Sequence, residues 1–349
     1  MRAGLIAALA AALPTVVMQG QSPAPATRVA NTTLTAVAGL TVGHVTLSSR
    51  PTGCTVVVAE RGVTAGVDVR GAAPATRETD LLDPVDLVQQ VHAVVLSGGS
   101  AFGLDAATGV MRFLEERRIG FPYGGSVVPI VPAASLFDLR VGDGRIRPDA
   151  ECGYAAARAA SAVPVPEGSV GAGAGATVGK MQGMERAMKG GIGSAAVVAP
   201  DGLIVAALVA VNAAGDIVDP ATGQVIAGVR GEDNRLLDAR RLLRAGPAAS
   251  PVVRQNTTLG VVATNATLTK TQATRVAQMA HDGYARAIYP SHTSGDGDTI
   301  FALATGDSAV TDQSRVGALA ADVVAEAIVR AVRAATAAAG VPAVRDLRR

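Results

Sequence analysis

The chain has 349 residues, of which 49% are hydrophobic, 17% charged and 3% aromatic, with 31 basic and 29 acidic residues. The high apolar content excludes a mainly disordered chain. The net charge of +2 and the absence of tryptophan give no signal for nucleic-acid binding. We therefore expect a folded enzyme that acts on a small molecule. Only three of the basic residues are lysines: Lys180, Lys189 and Lys270.

Residues 1–26 resemble a signal peptide. Arg2 supplies a short positive region, residues 3–17 are mostly apolar, and Ala24-Pro25-Ala26 fits a small-residue cleavage site. The apolar stretch is too short to span a membrane comfortably, and Pro14 interrupts it. The sequence thus predicts a periplasmic or secreted protein that has no membrane attachment after leader removal. A start at Met18 would instead give a cytoplasmic protein.

Beyond the leader, apolar runs alternate with Gly, Pro and Asp, which is typical of mixed α and β structure. Strands are predicted at Thr55–Ala59, Ala93–Leu96, Ala195–Ala199, Leu203–Val211, Leu259–Ala263 and Thr299–Ala304. Helices are predicted at Phe102–Arg118, Thr269–Arg286 and Ser314–Ala338. Gly98-Gly99-Ser100 indicates a tight turn in which Ser100 caps the following helix. The charged, then Pro/Ala-rich segment Val229–Pro251 indicates an exposed linker.

The sequence offers little support for a metal or cofactor site. The four histidines show no ligand spacing, and no Cys-x-x-Cys pair exists. The stretch Gly173–Lys180 resembles a phosphate-binding loop, but five residues separate its glycines where four are needed. We therefore expect no metal and no cofactor. Cys54 and Cys152 permit one disulfide in an oxidising compartment, but both lie among apolar or small residues that equally suit buried thiols.

One polar segment immediately precedes a predicted buried strand. It contains the Asn256–Thr257 bond, and cleavage there would make Thr257 an N-terminal residue. The freed α-amine, with a pKa of about 7.7–8.0, can accept the proton of the threonine hydroxyl at neutral pH. Catalysis would then need no histidine. The same tetrapeptide occurs at Asn31–Leu34, and an Asn-Thr pair is commonly a turn or strand cap, so the residues alone leave that structural interpretation open.

Further motifs are found at Gly39–His44, Val69–Asp80, Val94–Ala107, Asn256–Thr264 and Ser294–Phe301. Together they resemble the self-cleaving L-aminopeptidase/D-amidase-esterase family, which includes β-aminopeptidases and nylon-oligomer (6-aminohexanoate oligomer) hydrolases. The last two motifs look most like the threonine-nucleophile branch that contains the nylon-oligomer hydrolases. The likeness runs from about Leu40 to Gly306.

This resemblance implies an α+β fold, an N-terminal-nucleophile-hydrolase-like αββα four-layer sandwich. It also implies that the precursor cuts itself at Asn256–Thr257. The products would be an α chain of residues 27–256 and a β chain of residues 257–349, which stay associated as one domain. Homotetramers are common in the family and are expected here.

The resemblance also assigns candidate catalytic residues. Thr257 would be the nucleophile in self-cleavage and turnover, and Asp296 and Asp298, which face one way if they lie on a strand, would orient it. A solvated Asp-Gly turn is the structural alternative for the two aspartates. Lys180 resembles the family's active-site lysine, with Lys189 as a competitor for that role. Asn212 follows the strand Leu203–Val211 and could donate to a developing oxyanion, although a strand-end turn also suits it.

One position departs from the family pattern. The family site often includes a tyrosine from the α chain, whereas Phe137 occupies that neighbourhood here, with Tyr123 and Tyr154 as alternative hydroxyl donors. The function expected is hydrolysis of short peptides or peptide-like amides, including ω-amino acid (nylon-type) oligomers, through an acyl-enzyme. The alternatives are an aminopeptidase that removes free N-terminal L-, D- or β-amino acids, and a non-catalytic binding scaffold.

Overall fold

The computed structural model describes residue 1, residues 31–246 and residues 256–347. The expected signal peptide and the alternative start at Met18 lie outside the described residues, so export stays a prediction. Within the described part of the chain, no helix is long and apolar enough to cross a membrane.

The described part of the chain contains groups of consecutive strands separated by α-helices. The strands are β1 Thr41–Thr46, β2 Gly53–Val69, β3 Thr76–Arg77, β4 Gln90–Ser97, β5 Phe121–Tyr123, β6 Ser126–Val128, β7 Ala133–Ser135, β8 Thr177–Val178, β9 Met188–Lys189, β10 Gly191–Val198, β11 Ile204–Val211, β12 Asp216–Val218, β13 Val225–Ala227, β14 Leu259–Ala266, β15 Ile288–Tyr289 and β16 Thr299–Ser308. The α-helices are α1 Ala106–Glu116, α2 Ala150–Arg158, α3 Ala239–Arg244, α4 Lys270–Ala287 and α5 Gln313–Ala334.

The main sheet has the strand order β10-β11-β14-β16-β2-β4-β7-β3, with β1 paired to β2. The long strand β2 joins two halves of this sheet. Its residues Thr64–Val69 pair with β16, and Cys54–Val58 pair with β4, with a register shift between Val58 and Val63. Neighbouring strands are antiparallel except for β14 with β16 and β4 with β7.

Alternating side chains along the strands divide the molecule into layers. In β11, Ala207 and Val209 pack in a core shared with α4 and α5. The intervening Leu208 packs in a middle core together with Val57 of β2 and Phe301 of β16. The opposite face of β2 and β4 packs in a third core with α1 and α2. The order is therefore helix, sheet, sheet, helix, which is the predicted αββα sandwich.

The six predicted strands and the helix predicted at 269–286 are all present, although β2, β10 and β16 are longer than predicted, by up to ten residues at one end, and two other helices differ. The first begins as a 3₁₀ segment over Ser100–Asp105, where the Ser97 hydroxyl donates a hydrogen bond of 2.8 Å to the Gly103 carbonyl. The last ends at Ala334 rather than at residue 338, and the Ala334 carbonyl accepts a hydrogen bond of 2.9 Å from Arg345.

Two local predictions were wrong. The tight turn at 98–100 exists, but Ser100 lies in it at φ +57° and its side chain makes no capping hydrogen bond. The segment from Val229 to residue 246 is largely exposed, as predicted, but it is not a linker, because it contains the helix α3 and its residues Val229 and Ala239 are fully buried. The buried Asp216 carboxylate accepts hydrogen bonds from the backbone N–H groups of both residues, at 2.8 and 2.6 Å, and holds this segment on the fold. Residues 247–251 lie outside the described part.

The two cysteines form a disulfide between β2 and α2. Cys54 and Cys152 are 98 residues apart in sequence, with their Cα atoms at 6.3 Å. The bond ties the helical layer of α1 and α2 to the sheet below it. Of the two states that the sequence left open, the structure shows the paired one.

Candidate active site

Thr257 lies at the entrance to β14, between two neighbouring strands. Its N–H donates to the carbonyl of Asn212, which follows β11, at 3.0 Å. On the other side, the N–H of Thr258 donates to Asp298 Oδ1 at 2.8 Å, and the Thr258 carbonyl accepts from Thr299 at 3.2 Å. Thr257 is buried. Pairing on both sides therefore holds the Asn256–Thr257 peptide in one orientation.

The hydroxyl of Thr257 lies against the carbonyl group that precedes it. Oγ1 donates to the Asn256 carbonyl oxygen in a short contact, and the Gly297 N–H donates to the same oxygen at 3.0 Å. A Cβ at Gly297 would lie 2.7 Å from Oγ1, so the close approach requires glycine. The Asn256 carbonyl thus has a hydroxyl group beside it and a backbone donor that can polarise it.

Asn212 connects three parts of the site. Its Oδ1 accepts hydrogen bonds from Lys180 Nζ at 2.9 Å and from the Thr177 N–H at 3.0 Å. Its Nδ2 donates to the carbonyl of Phe137 at 3.0 Å. Lys180 Nζ also donates to the Asn212 carbonyl at 3.2 Å. In this uncut geometry Asn212 is fully buried and its amide donates to Phe137. The backbone donor to the Asn256 oxygen is the Gly297 N–H, which sequence reasoning missed.

The structure separates the two competing lysines. Lys180 reaches Asn212, whereas Lys189 Nζ donates to the carbonyls of Ala174 and Ala176 at 2.6 and 2.8 Å and holds the Gly-rich stretch. Burial lowers the pKa of each lysine from 10.5 to about 7, and at Lys180 the nearby Asp296 opposes this effect. Of the two, Lys180 is the one placed in the site.

Asp296 and Asp298 lie in the loop immediately before β16, and both are buried, so the solvated-turn alternative was wrong. Asp298 accepts through both oxygens, Oδ1 from Thr258 and Oδ2 from the His292 backbone and ring. Asp296 Oδ2 accepts from the Thr293 N–H at 2.7 Å. Burial, with repulsion from Asp298, raises the pKa of Asp296 from 3.8 to about 6.

A cavity of about 200 Å³ opens beside Thr257. It is lined by uncharged residues, most of which are small: Ala73, Ala75, Ser100, Ser135, Phe137, Asn256, Thr257 and Gly295. Phe137 therefore lies at the site, as its position relative to the family tyrosine predicts. Neither Tyr123, which is exposed on β5, nor Tyr154, whose hydroxyl donates to Glu116, lines this cavity. Ser100 was missed as a lining residue, although the turn that carries it was predicted.

The chain is similar to known peptidases and amide hydrolases. The model of peptidase family S58 matches residues 32–345. An uncharacterized aminopeptidase of Mycobacterium tuberculosis (strain ATCC 25618 / H37Rv) is 44% identical over 342 residues, which cover 90% of this chain and 97% of the relative. The 6-aminohexanoate-oligomer endohydrolase of Kocuria sp. (strain KY2) is 30% identical over 314 residues, 84% of each chain.

A solved structure supports the same fold. The L-aminopeptidase D-Ala-esterase/amidase of Ochrobactrum anthropi, described as a variant of the Ntn-hydrolase fold, is 20% identical and has a TM-score of 0.66. The match covers 89% of both chains. It confirms the predicted N-terminal-nucleophile-hydrolase-like fold.

Proposed function

Because the chain belongs to peptidase family S58, and is thus a peptide or amide hydrolase, we propose that it works as a self-processing enzyme with Thr257 as its N-terminal nucleophile. The observation that carries this proposal is the contact between the Thr257 hydroxyl and the Asn256 carbonyl, whose oxygen also accepts from Gly297. A threonine buried merely as a strand cap does not need a donor on the preceding carbonyl or two buried carboxylates beside it.

In self-cleavage, Thr257 Oγ1 bonds to the carbonyl carbon of Asn256, and the Gly297 N–H stabilises the oxyanion that forms. The carbon–nitrogen bond then breaks, and the nitrogen of Thr257 leaves with the proton given up by the hydroxyl. That step frees the α-amine of Thr257 and leaves Asn256 esterified to Oγ1; water then hydrolyses the ester, which releases the Asn256 carboxylate and restores the Thr257 hydroxyl. The products are the α chain ending at residue 256 and the β chain of residues 257–349.

In turnover, the freed α-amine accepts the hydroxyl proton while Oγ1 attacks the substrate amide, and it passes this proton to the amine product as the carbon–nitrogen bond breaks. Water then hydrolyses the acyl-enzyme, which releases the carboxylate product and restores the hydroxyl. Asn212 positions the backbone nitrogen that becomes this amine, and Lys180, which bonds Asn212, places an ionisable ammonium group near it. Asp298 fixes Thr258, and Asp296, whose pKa of about 6 is close to neutrality, suits proton exchange near the reacting atoms. The mechanism uses no metal and no cofactor.

The cavity beside Thr257 supports a substrate with a small, neutral acyl group, because none of its lining residues is charged. Short peptides and peptide-like amides fit this description, as do ω-amino acid oligomers, the substrate class in the name of the Kocuria relative. The second candidate is an aminopeptidase that removes free N-terminal residues. It is favoured by the 44% identity to a relative named as an aminopeptidase.

We also propose that the protein is exported and that it forms homotetramers. The Cys54–Cys152 disulfide supports an oxidising compartment, and the tetramer rests on the family resemblance alone. N-terminal sequencing of native protein and light scattering of purified protein test these two proposals. A start at Met18 would contradict export, and a monomer would contradict the tetramer.

The hydrolase proposal is tested with free and acetylated tripeptides and a linear 6-aminohexanoate oligomer. We expect wild-type protein to hydrolyse amides and Thr257→Ala to be inactive. Thr32→Ala is the matched control, because Asn31–Leu34 repeats the tetrapeptide and Thr32, which corresponds to Thr257, is exposed. Activity on acetylated peptides favours internal cleavage, and activity on free peptides alone favours the aminopeptidase. Hydrolysis by Thr257→Ala at the wild-type rate would defeat the mechanism.

A further inference from the structure

His292 makes two hydrogen bonds to one carboxylate oxygen of the site. Its backbone N–H donates to Asp298 Oδ2 at 3.1 Å, and its ring Nδ1 lies 2.9 Å from the same atom. The other oxygen of Asp298 accepts from the N–H of Thr258, the residue after the proposed nucleophile, at 2.8 Å. Asp298 therefore bridges His292 and the strand that carries Thr257.

The backbone of His292 is in the left-handed region, at φ +55°. This conformation is uncommon for residues other than glycine, although histidine, asparagine and aspartate adopt it more often than most. Here it turns both the backbone N–H and the ring toward Asp298. A strained backbone that serves a contact in an active site is a recurrent feature of functional loops.

The ring of His292 also packs against two aromatic rings of α4. It stacks on Tyr284 of α4, with centroids 5.8 Å apart, and meets the edge of His281 at 4.9 Å. His281 Nε2 lies 3.1 Å from the Asp68 carbonyl of β2. Two layers of the fold thus limit the rotation of the ring, so Nδ1 remains directed at the carboxylate.

We propose that His292 is a positioning residue, which holds Asp298 in the orientation that aligns Thr258 and, through it, Thr257. This inference rests on the proposed function, since it assigns the support of the same nucleophile. Nothing in the sequence pattern singled out His292, because its spacing to the other histidines matches no metal site or triad.

The electrostatic surroundings of Asp298 determine what loss of the ring would do. The titratable groups that act on it are Asp296, Lys180, His281, Tyr284 and His292 itself. Loss of the ring removes one hydrogen bond from Asp298 Oδ2, and a hydrogen bond to a carboxylate favours its charged form. The acidic limb of the kcat/KM profile should then move to higher pH, whereas a merely structural role for His292 would leave its position unchanged.

The test compares His292→Gly with His292→Asn, because both residues tolerate the left-handed backbone. Only asparagine restores a donor near the position of Nδ1. We expect the glycine variant to lose up to about 100-fold in kcat and in the rate of self-cleavage, with KM little changed. The asparagine variant should recover most of this loss and the wild-type pH profile. Equal activity and equal pH profiles in both variants would overturn the proposal.

A second pair keeps the test decisive if the glycine variant does not fold. His292→Asp has the shape of His292→Asn but presents an acceptor and a like charge to Asp298. We expect its precursor to remain uncut, and rapid cleavage by the aspartate variant would overturn the proposal. Failure of wild-type protein to cleave itself would instead refute the proposed function, so the two failures are distinguishable.

Discussion

Substitution of Lys180 by methionine should make the precursor more stable near neutral pH while impairing self-cleavage. The Nζ atom is buried and bonds both carbonyl-type oxygens of Asn212. After the substitution, these oxygens keep the N–H donors of Thr177 and Thr257 at 3.0 Å. The folded state therefore loses a costly buried ammonium without leaving an acceptor unpaired.

The magnitude follows from the pKa of Lys180, which burial lowers from 10.5 to about 7. Between these pH values the unfolded chain binds more protons than the folded one, so the free energy of unfolding rises with pH. The cost in folding stability that Lys180 imposes, and that Lys180→Met removes, is therefore greatest at and below pH 7. At about 1.4 kcal/mol per pH unit, this contribution reaches at most about 5 kcal/mol. Asp296, whose raised pKa is about 6, affects mainly the range below this window.

The assay is denaturant unfolding of the single-chain precursor in a Thr257→Ala background, measured from pH 7 to pH 9. Lys180→Met should flatten the rise of stability with pH. Lys189→Met is the matched control, because burial lowers the Lys189 pKa to about 7 as well. Both should flatten the rise, but with Thr257 restored only Lys180→Met should slow self-cleavage, by about 100-fold. A Lys180→Met protein that keeps the wild-type pH dependence and cleavage rate would refute this reasoning.

Three further outcomes follow from the site and the core. Gly297→Ala should leave the precursor intact on a denaturing gel, because its Cβ would lie 2.7 Å from Thr257 Oγ1; normal cleavage would contradict the assigned geometry. Phe137→Tyr should cleave at the wild-type rate in the same gel assay, because Asn212 bonds the Phe137 backbone carbonyl; an uncut precursor would show that the ring matters. Cys152→Ser should lower the free energy of unfolding by about 4–5 kcal/mol, as loop closure over about 100 residues predicts. Thermal unfolding of non-reduced protein measures this loss, and an unchanged midpoint temperature would contradict it.

Periodicity predicted most of the fold because the central strands and long helices bury continuous or alternating apolar residues. It failed where a distant partner determines local structure. The segment that carries α3 is the clearest case: Asp238 caps the helix locally, but Asp216, 23 residues before Ala239, accepts the Ala239 N–H and holds this charged and polar segment on the fold. The Cys54–Cys152 pairing is similar, because it depends on the layer in which α2 packs.

The sequence predicted the side chains of the candidate site that stand in motifs, but it did not predict the backbone donor. Thr257, Asp296 and Asp298 stand in recognisable motifs, and the scarcity of lysine drew attention to Lys180. The Gly297 N–H carries no sequence signal, because every residue except proline has such a donor. The choice between the two buried lysines required the structure, since both are close to glycine-rich segments.

We propose above all that the Thr257 hydroxyl cleaves the peptide bond between Asn256 and Thr257. Intact-mass analysis of purified wild-type protein tests this most directly, with Thr257→Ala as its comparison. The account predicts a wild-type fragment that begins at Thr257 and ends at Arg349, and an uncut chain in the variant. An uncut wild-type chain that still hydrolyses amides would contradict it.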